Sequence, residues 1–432
     1  MTLDRKKFYQ ACNPGPLDLG NAQESKYYID FSSVRGGSVI KELRKTIDFS
    51  SKATCQLFTG HIGCGKSTEL KRLKVDLEQE NFHVVYVESS QGLEMGDVDV
   101  TDIMLAIAKS VSESLEAIQI RLRHTYFVRL FNEIAGILKT PFDISEVEFS
   151  VGIAKITAQA KDSPKLRDLL RACLEPRTNE IIKAINDDML AVAQEKLSKI
   201  GKKGLVVIVD GLDKLANLKT PVDSPLPQYL FVERGQQLNK LNCHVVYTIP
   251  LGLRFSNCSQ RLANIFGANP KVLPMVPVQL RQGGDSPEGM ALLQQMVMAR
   301  AFPDVDSVQR LDLIPQVFDS PETLERLCRV SGGHVRGLLM LICSCILSCS
   351  DAKDPPLSQD CIEKVIRKSR NDLVMAIKED EWELLRQVSQ TKTIAGPEQY
   401  QTLVRNLFVF EYQHNDESWF DVNPILIEGR TF

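Results

Sequence analysis

The segment from Gly60 to Ser67 contains the clearest chemistry in the sequence. It reads Gly-His-Ile-Gly-Cys-Gly-Lys-Ser and fits the pattern G-x-x-x-x-G-K-[ST] in full. Glycines let consecutive backbone N–H groups turn inward around an anion, and a following helix adds positive potential at its N-terminus. The pattern predicts a phosphate-binding loop, although a plain glycine turn before a helix is the alternative. The residues predicted to contact the ligand are Gly60, His61, Ile62, Gly63, Cys64, Gly65, Lys66, Ser67 and Thr68.

The end of this loop supplies side chains that could act on a nucleoside triphosphate. We predict that Lys66 bridges the β- and γ-phosphates and is a catalytic residue. Ser67 is predicted to give its hydroxyl to Mg²⁺, with Thr68 in support. The residues before the loop, 55–59, read as a short buried strand, and residues 69–80 have leucines on one helical face. A strand and a helix on either side are the context that such a loop needs.

An acidic motif follows a second apolar run. In residues 204–215, Gly-Leu-Val-Val-Ile-Val-Asp-Gly-Leu-Asp-Lys-Leu, a predicted buried strand ends at Asp210. Ligands gather at the carboxyl ends of strands in parallel sheets, so Asp210 is predicted to hold Mg²⁺ through water. Asp213 is predicted to be the catalytic residue that polarises the attacking water. Its alternative role is that of a helix N-cap after the strand.

A third apolar run, residues 244–250, ends with Thr248 before Ile-Pro. A hydroxyl there could contact the γ-phosphate or the attacking water, so Thr248 is a candidate catalytic residue. Its alternative is the ordinary preference of threonine for strands. The guanine-reading pattern N-K-x-D is not matched at residues 239–242, which read Asn-Lys-Leu-Asn. The sequence therefore favours ATP over GTP.

Strands and helices alternate through the first part of the chain. This alternation predicts an α/β protein with a mostly parallel sheet. Strands are predicted at residues 27–31, 55–59, 83–87, 205–209, 244–249 and 272–278, a long helix at 228–241, and a hairpin at 146–160. The predicted divisions are an N-terminal extended arm at 1–25, a core at 26–283 that contains a mostly helical insertion at 91–200, a helical segment at 284–370, and two helices with a terminal hairpin at 371–432.

Taken together, these motifs resemble the AAA+ and STAND divisions of P-loop ATPases. The residues 210–213, Asp-Gly-Leu-Asp, are similar to the D-G-h-D end of the STAND metal-binding strand, and Thr248 corresponds to the polar sensor of the next strand. Residues 331–341, Ser-Gly-Gly-His-Val-Arg-Gly-Leu-Leu-Met-Leu, look like the lid helix of Orc1/Cdc6-type ATPases. This likeness gives Arg336 the catalytic role of a second sensor; the alternative is a solvated helix arginine. The resemblance implies a P-loop NTPase parallel sheet with a helical insertion, followed by a helical lid and a C-terminal winged-helix domain.

Charge and composition limit the classes of location and partner that this protein can have. The net charge is -3, the 11 cysteines are an odd number, and no apolar run resembles a signal peptide or a membrane span. We expect a cytoplasmic protein with reduced thiols and no membrane partner. Residues 371–432 contain five Lys/Arg and eleven Asp/Glu, a balance of -6, which disfavours contact with nucleic-acid phosphates.

The leading hypothesis is a molecular switch that binds ATP with Mg²⁺ and hydrolyses it slowly. It would control assembly or partner binding through the insertion or the acidic winged helix, and signal transduction or antiphage defence is a possible setting. The second hypothesis is an Orc1/Cdc6-like initiator or loader ATPase that acts on DNA. A third, a P-loop kinase, has no evident acceptor pocket in the sequence.

Overall fold

The computed structural model describes residues 3–122, 125–138, 163–218, 220, 223–348, 356–394, 397–414 and 417–428. The strands are β1 Cys55–Gly60, β2 Phe82–Glu88, β3 Gly204–Asp210, β4 His244–Thr248, β5 Lys271–Leu273, β6 Val409–His414 and β7 Glu417–Val422. The α-helices are α1 Arg5–Ala11, α2 Val39–Phe49, α3 Lys66–Gln79, α4 Ser89–Gly92, α5 Val100–Ala117, α6 Thr125–Leu138, α7 Pro164–Leu174, α8 Thr178–Ala184, α9 Ala191–Lys199, α10 Leu226–Gln228, α11 Gly235–Leu238, α12 Ser259–Phe266, α13 Pro287–Ala301, α14 Ser307–Leu311, α15 Pro321–Val330, α16 Val335–Ser348, α17 Gln359–Val374, α18 Glu379–Thr391, α19 Pro397–Arg405 and α20 Pro424–Ile427.

Five strands form one sheet in the order β2-β3-β4-β1-β5. The pairings β2–β3, β3–β4 and β4–β1 are parallel. Every residue of β3 is buried, which is why its sequence is a continuous apolar run rather than an alternating one. The predicted α/β class with a parallel sheet is confirmed. Because parallel strands end on the same side, Asp210, Thr248 and the end of β1 lie along one edge of the sheet.

The contacts divide the chain into two units. The sheet unit comprises Lys41–Thr59 and Leu73–Lys271. Its core joins the apolar side chains of β1 to β4 with those of α5, α8 and α9, including the fully buried Val207, Ile103 and Phe231. The predicted helices between β2 and β3 are confirmed where the structure describes them, with a π-helical segment, Ile185–Leu190, between α8 and α9. The hairpin predicted at 146–160 lies outside the described residues.

The loop unit comprises Met1–Ile40, Gly60–Arg72 and Val272–Phe432. Its helices α13, α15 and α16 lie within the segment 284–370 that the sequence predicts to be helical, and α17 begins there. Helices α18 and α19 precede the antiparallel pair β6–β7. Trp419 of this hairpin is buried and stacks on Tyr412 with the ring centroids 4.5 Å apart. The four-part division predicted from the sequence, and the winged helix within it, stay predictions.

Three expectations about elements are wrong. The N-terminal arm is not extended throughout, because α1 forms there: the Asp4 carboxylate accepts the Lys7 N–H at 3.0 Å and Phe8 is buried. No strand forms at 27–31; a 3₁₀ turn, Glu24–Tyr27, precedes an irregular segment. The helix predicted at 228–241 is broken by the π-helical segment Tyr229–Glu233.

No helix among the described residues combines the length and the apolar content needed to cross a bilayer.

Candidate functional site

The glycine loop runs from the end of β1 to the first residue of α3, as the sequence predicts. Gly63 and Gly65 have φ values of 84° and 110°, a region that side-chain-bearing residues rarely adopt. Gly63 is constrained by space as well, because a Cβ there would lie 2.5 Å from His334 Nε2. The two glycines are therefore needed for the conformation of this loop.

Five successive carbonyl groups of the loop accept hydrogen bonds from groups in the loop unit. The pairs are Lys66 Nζ to Gly60 O (2.8 Å) and to His61 O (2.8 Å), His334 Nε2 to Ile62 O (2.9 Å), the Arg336 N–H to Gly63 O (3.1 Å) and Arg35 Nη2 to Cys64 O (2.8 Å). Within the loop, the Cys64 N–H donates to His61 O at 3.2 Å. Helix α3 begins at Lys66, so the N–H groups of its first turn, which have no partner within the helix, follow the loop directly. This arrangement fits an anion.

Lys66 brings a positive charge into the same loop. Its side chain is buried, and its ammonium donates to two carbonyls of the loop. A buried ammonium in a glycine loop that leads into a helix N-terminus matches the phosphate groups that the sequence pattern predicts. The structure thus brings Lys66 together with the residues predicted to contact the ligand.

Arg336, at the start of α16, lies against the loop. Its backbone N–H donates to Gly63 O, and its Cβ and Cδ would be 2.9 Å and 3.2 Å from a Cβ placed on Gly63. The side chain therefore runs along the loop and is half-buried rather than fully solvated. Its action as a sensor stays a prediction.

Arg35 is a loop-supporting residue that the sequence argument assigned no role. It is 3% exposed, and its guanidinium lies 5.1 Å from the centroid of the Phe31 ring. Burial lowers the pKa of Arg35. Nearby, Tyr28 donates to the Glu69 carboxylate at 3.1 Å, and burial raises the pKa of Glu69. The bond from Arg35 to Cys64 spans 29 positions, and no local sequence pattern indicates it.

Thr68 uses its hydroxyl within the protein. Its Oγ1 accepts the Leu17 N–H at 3.2 Å, so a residue of the N-terminal segment is bound at the first turn of α3. The hydroxyl of Thr68 thus has a structural partner beside its predicted support of Ser67.

The sheet unit contains the predicted acidic motif. Asp210 is buried, and its Oδ2 accepts a hydrogen bond from the Tyr86 hydroxyl at 2.7 Å. Ser89 Oγ donates to the backbone oxygen of Asp210 at 2.6 Å. Burial, followed by the nearby Asp210 carboxylate, raises the pKa of Tyr86, so this hydroxyl remains a donor. Asp210 is therefore held in one orientation at the end of β3.

Asp213 lies in a short 3₁₀ helix, Leu212–Lys214, directly after Gly211. Gly211 has a φ of 96°, and it rather than Asp213 precedes the first turn, so the N-cap alternative for Asp213 is wrong. Thr248 is fully buried; its hydroxyl accepts the Leu212 N–H at 3.1 Å and donates to Val209 O at 3.3 Å. In this geometry Thr248 fixes the turn that carries Asp213. Its contact with phosphate stays a prediction.

The donor chemistry also suits magnesium. Mg²⁺ is commonly held by one or two protein oxygens, several waters and the substrate phosphates. The loop unit offers the Ser67 hydroxyl and the sheet unit offers the buried Asp210 carboxylate, each an oxygen of this kind, and a shared magnesium site stays a prediction. Among the described residues no three or more His, Cys, Asp or Glu side chains cluster as a metal site, so an all-protein cage is not what these residues provide.

The parallel sheet and the glycine loop together define a P-loop NTPase domain, a nucleotide-binding class. The family described as "KAP family P-loop domain" matches residues 37–220, less than half of the chain. No curated protein shares significant sequence similarity with this chain. The match over residues 37–220 agrees with the P-loop NTPase fold predicted for this part of the chain.

Three solved structures show distant likeness. The ORC2 protein of Aeropyrum pernix is 13% identical over 89% of each chain, with a TM-score of 0.37. Cdc6p of Pyrobaculum aerophilum is 11% identical over 93% of this chain and 94% of that chain, with a TM-score of 0.39. Drosophila ORC, in a structure bound to DNA, is 10% identical over 98% of this chain and 89% of that chain, with a TM-score of 0.36. Such values are too low for any property of those proteins to be carried over.

Proposed function

We propose that this protein binds ATP at residues 60–68 and uses slow hydrolysis of ATP as a molecular switch. The supporting observation is the loop in which the five carbonyls of residues 60–64 all accept hydrogen bonds, while Lys66 and the N-terminus of α3 belong to the same segment. Three of the donors, His334, Arg336 and Arg35, lie outside the loop and hold residues 62–64 in shape before phosphate binds, which favours affinity. The unmatched N-K-x-D at 239–242 supports adenine over guanine.

Each chemical role belongs to a residue of this chain. Lys66 stabilises charge on the β- and γ-phosphates, Ser67 would give its hydroxyl to Mg²⁺, and Asp210 would hold Mg²⁺ through water. Magnesium, when bound, neutralises charge on the phosphate oxygens. Asp213 orients the attacking water. Its position after the αL residue Gly211, on a turn that Thr248 fixes, supports a defined orientation for its carboxylate.

Arg336 is the residue that we propose senses whether ATP is bound. Its side chain already lies beside Gly63, and it begins α16 of the lid. A change in the phosphate tail would alter the contact of this arginine and bias the lid. We propose that the switch controls assembly or the binding of a protein partner. The exposed acidic residues Glu379 and Asp380 at the start of α18, or the insertion at 91–200, would provide the contact surface, and signalling or antiphage defence is the proposed setting.

The second candidate is a DNA-associated initiator or loader ATPase. The order of lid helices, two further helices and a hairpin favours it. The balance of -6 over residues 371–432 opposes contact with DNA phosphates. Duplex binding whose affinity falls steeply with salt would support this candidate over the partner-binding switch.

The test combines binding and turnover. Mg-ATP binding by calorimetry and phosphate release would be measured for wild type, Lys66→Ala, Asp213→Asn and the control Lys45→Ala, an exposed lysine of α2. We expect Lys66→Ala to bind ATP poorly, Asp213→Asn to bind but release phosphate slowly, and the control to match wild type. Rapid turnover by Asp213→Asn would exclude it from the reaction. The mass of the particle with and without a slowly hydrolysed ATP analogue would test assembly.

A further inference from the structure

His61 occupies a position where phosphate binding requires no particular side chain, since the loop pattern accepts any residue there. Its imidazole is nevertheless 2% exposed, and its Nε2 accepts the backbone N–H of Glu411 at 2.8 Å. Glu411 lies 350 positions later in the chain, in strand β6. The side chain of a loop residue is thus used to bind the C-terminal hairpin.

The tautomer of His61 follows from this bond. Nε2 accepts a hydrogen bond from the amide, so this nitrogen carries no proton and the imidazole is neutral. Burial, with the neighbouring His334 and Lys66, lowers the pKa of His61 to about 3, which keeps the ring neutral at ordinary pH. The bond to Glu411 is therefore present whenever the unit is folded at neutral pH.

The hairpin also packs on the loop through an aromatic ring. The Phe410 ring lies 5.8 Å from the ring of His61 and 5.8 Å from the ring of His334, between centroids. His334 in turn donates to the carbonyl of Ile62. The first residues of the loop are consequently held by the hairpin directly, and through His334 indirectly.

Strand β6 of the hairpin makes further hydrogen bonds that hold it in place. Glu411 O accepts the Met275 N–H at 2.9 Å, and the Tyr412 hydroxyl donates to Gly332 O at 2.8 Å, just before α16. A shift of the loop at His61 therefore has to displace Glu411 or break its bond to the imidazole.

We propose that the β6–β7 hairpin is a positioning element of the phosphate site, with His61 as the residue that joins them, so that a bound nucleotide is reported to the hairpin. The inference rests on ATP binding at the loop. Coupling between two sites is reciprocal: if the hairpin favours the loop shape that binds phosphate, phosphate favours the docked hairpin. The His61 side chain has a positioning role, since its imidazole contacts Glu411, whereas only the backbone of His61 belongs to the predicted phosphate loop.

The experiment compares His61→Leu, which keeps apolar volume but has no acceptor, with His61→Gln, whose amide oxygen can accept the Glu411 N–H. His414→Ala is the matched control, because His414 is an exposed histidine of the same hairpin. Full-length proteins would be titrated with ATP by calorimetry. Hydrogen exchange of the Glu411 amide would be followed with and without ATP.

We expect ATP to slow exchange at Glu411 in wild type and in the control. In His61→Leu the dissociation constant for ATP should rise about fivefold, as for loss of one hydrogen bond, and ATP should no longer slow exchange there. His61→Gln should recover most of both effects, which a variant that merely alters folding would not do. Should the leucine variant not fold, wild type and the glutamine variant still give the exchange comparison.

Two results would overturn the inference alone: wild type that binds ATP while exchange at Glu411 stays unchanged or becomes faster, or His61→Leu with the wild-type dissociation constant. If wild type shows no ATP binding at all, the proposed function fails and this coupling fails with it.

Discussion

Replacing Arg35 with methionine tests how far the phosphate site depends on a side chain outside the glycine loop. Arg35 Nη2 donates to Cys64 O at 2.8 Å from a fully buried position. Loss of a hydrogen bond from a charged donor costs about 2 kcal/mol, and the carbonyl of Cys64 loses its partner. If the whole loss is expressed in binding, the affinity for ATP falls about 30-fold. If part is expressed in folding, the midpoint of thermal unfolding falls as well.

The assay is calorimetric titration with ATP, accompanied by thermal unfolding of the same samples. Arg44→Met is the matched control, because Arg44 pairs with Glu80 at 2.8 Å but supports no residue of the loop. This partly exposed pair is worth about 0–1 kcal/mol, so the control should lose little stability and no ATP affinity. ATP binding by Arg35→Met equal to that of wild type would refute the claim that carbonyl support from outside shapes the site.

Three further predictions concern the metal, pH and the lid. Tyr86→Phe removes the hydroxyl bonded to Asp210, so half-maximal hydrolysis should need more Mg²⁺ while ATP binding without metal stays unchanged; equal Mg²⁺ dependence in an activity titration would refute this. Burial lowers the pKa of His334 to about 4, whereas an unfolded histidine titrates near 6.5, so the unfolded chain binds more protons and stability falls on acidification from pH 7 to pH 5. Between pH 7 and pH 5 the unfolding midpoint of His334→Gln should fall less than that of wild type. An equal fall in the two proteins would contradict the claim that His334 causes this loss of stability. Gly333→Ala places a Cβ 1.7 Å from Val276 O at a φ of 74°, so it should lower the unfolding midpoint sharply; an unchanged midpoint would argue against the described turn.

The parts predicted from the sequence are those that neighbouring residues specify. The glycine loop and the apolar strand β3 follow local patterns, and the structure has them at the expected residues. Helices α13 and α15 lie within the segment 284–370 that the sequence predicts to be helical. A local pattern can also mislead. Residues 27–31 alternate like a strand and are predicted as one, yet no strand forms there and Tyr28 makes a polar contact with Glu69.

The supports of the loop could not be predicted, because each joins residues far apart in the chain. Arg35 reaches Cys64 across 29 positions, and His334 reaches Ile62 across 272. No spacing rule relates such residues before the chain is folded. The sequence predicts the loop residues themselves, but it does not indicate the distant residues that donate to their carbonyls.

The most direct test of the phosphate site is a comparison of ATP with AMP by calorimetric titration of the wild-type protein. AMP has the same base and sugar but only one phosphate. If backbone amides of residues 60–68 and the Lys66 ammonium hold the phosphate tail, ATP should give saturable binding and AMP should bind more weakly by at least about 100-fold, the loss of two or more charge-assisted contacts. Equal affinity for the two nucleotides, or no heat of binding with ATP, would contradict the account.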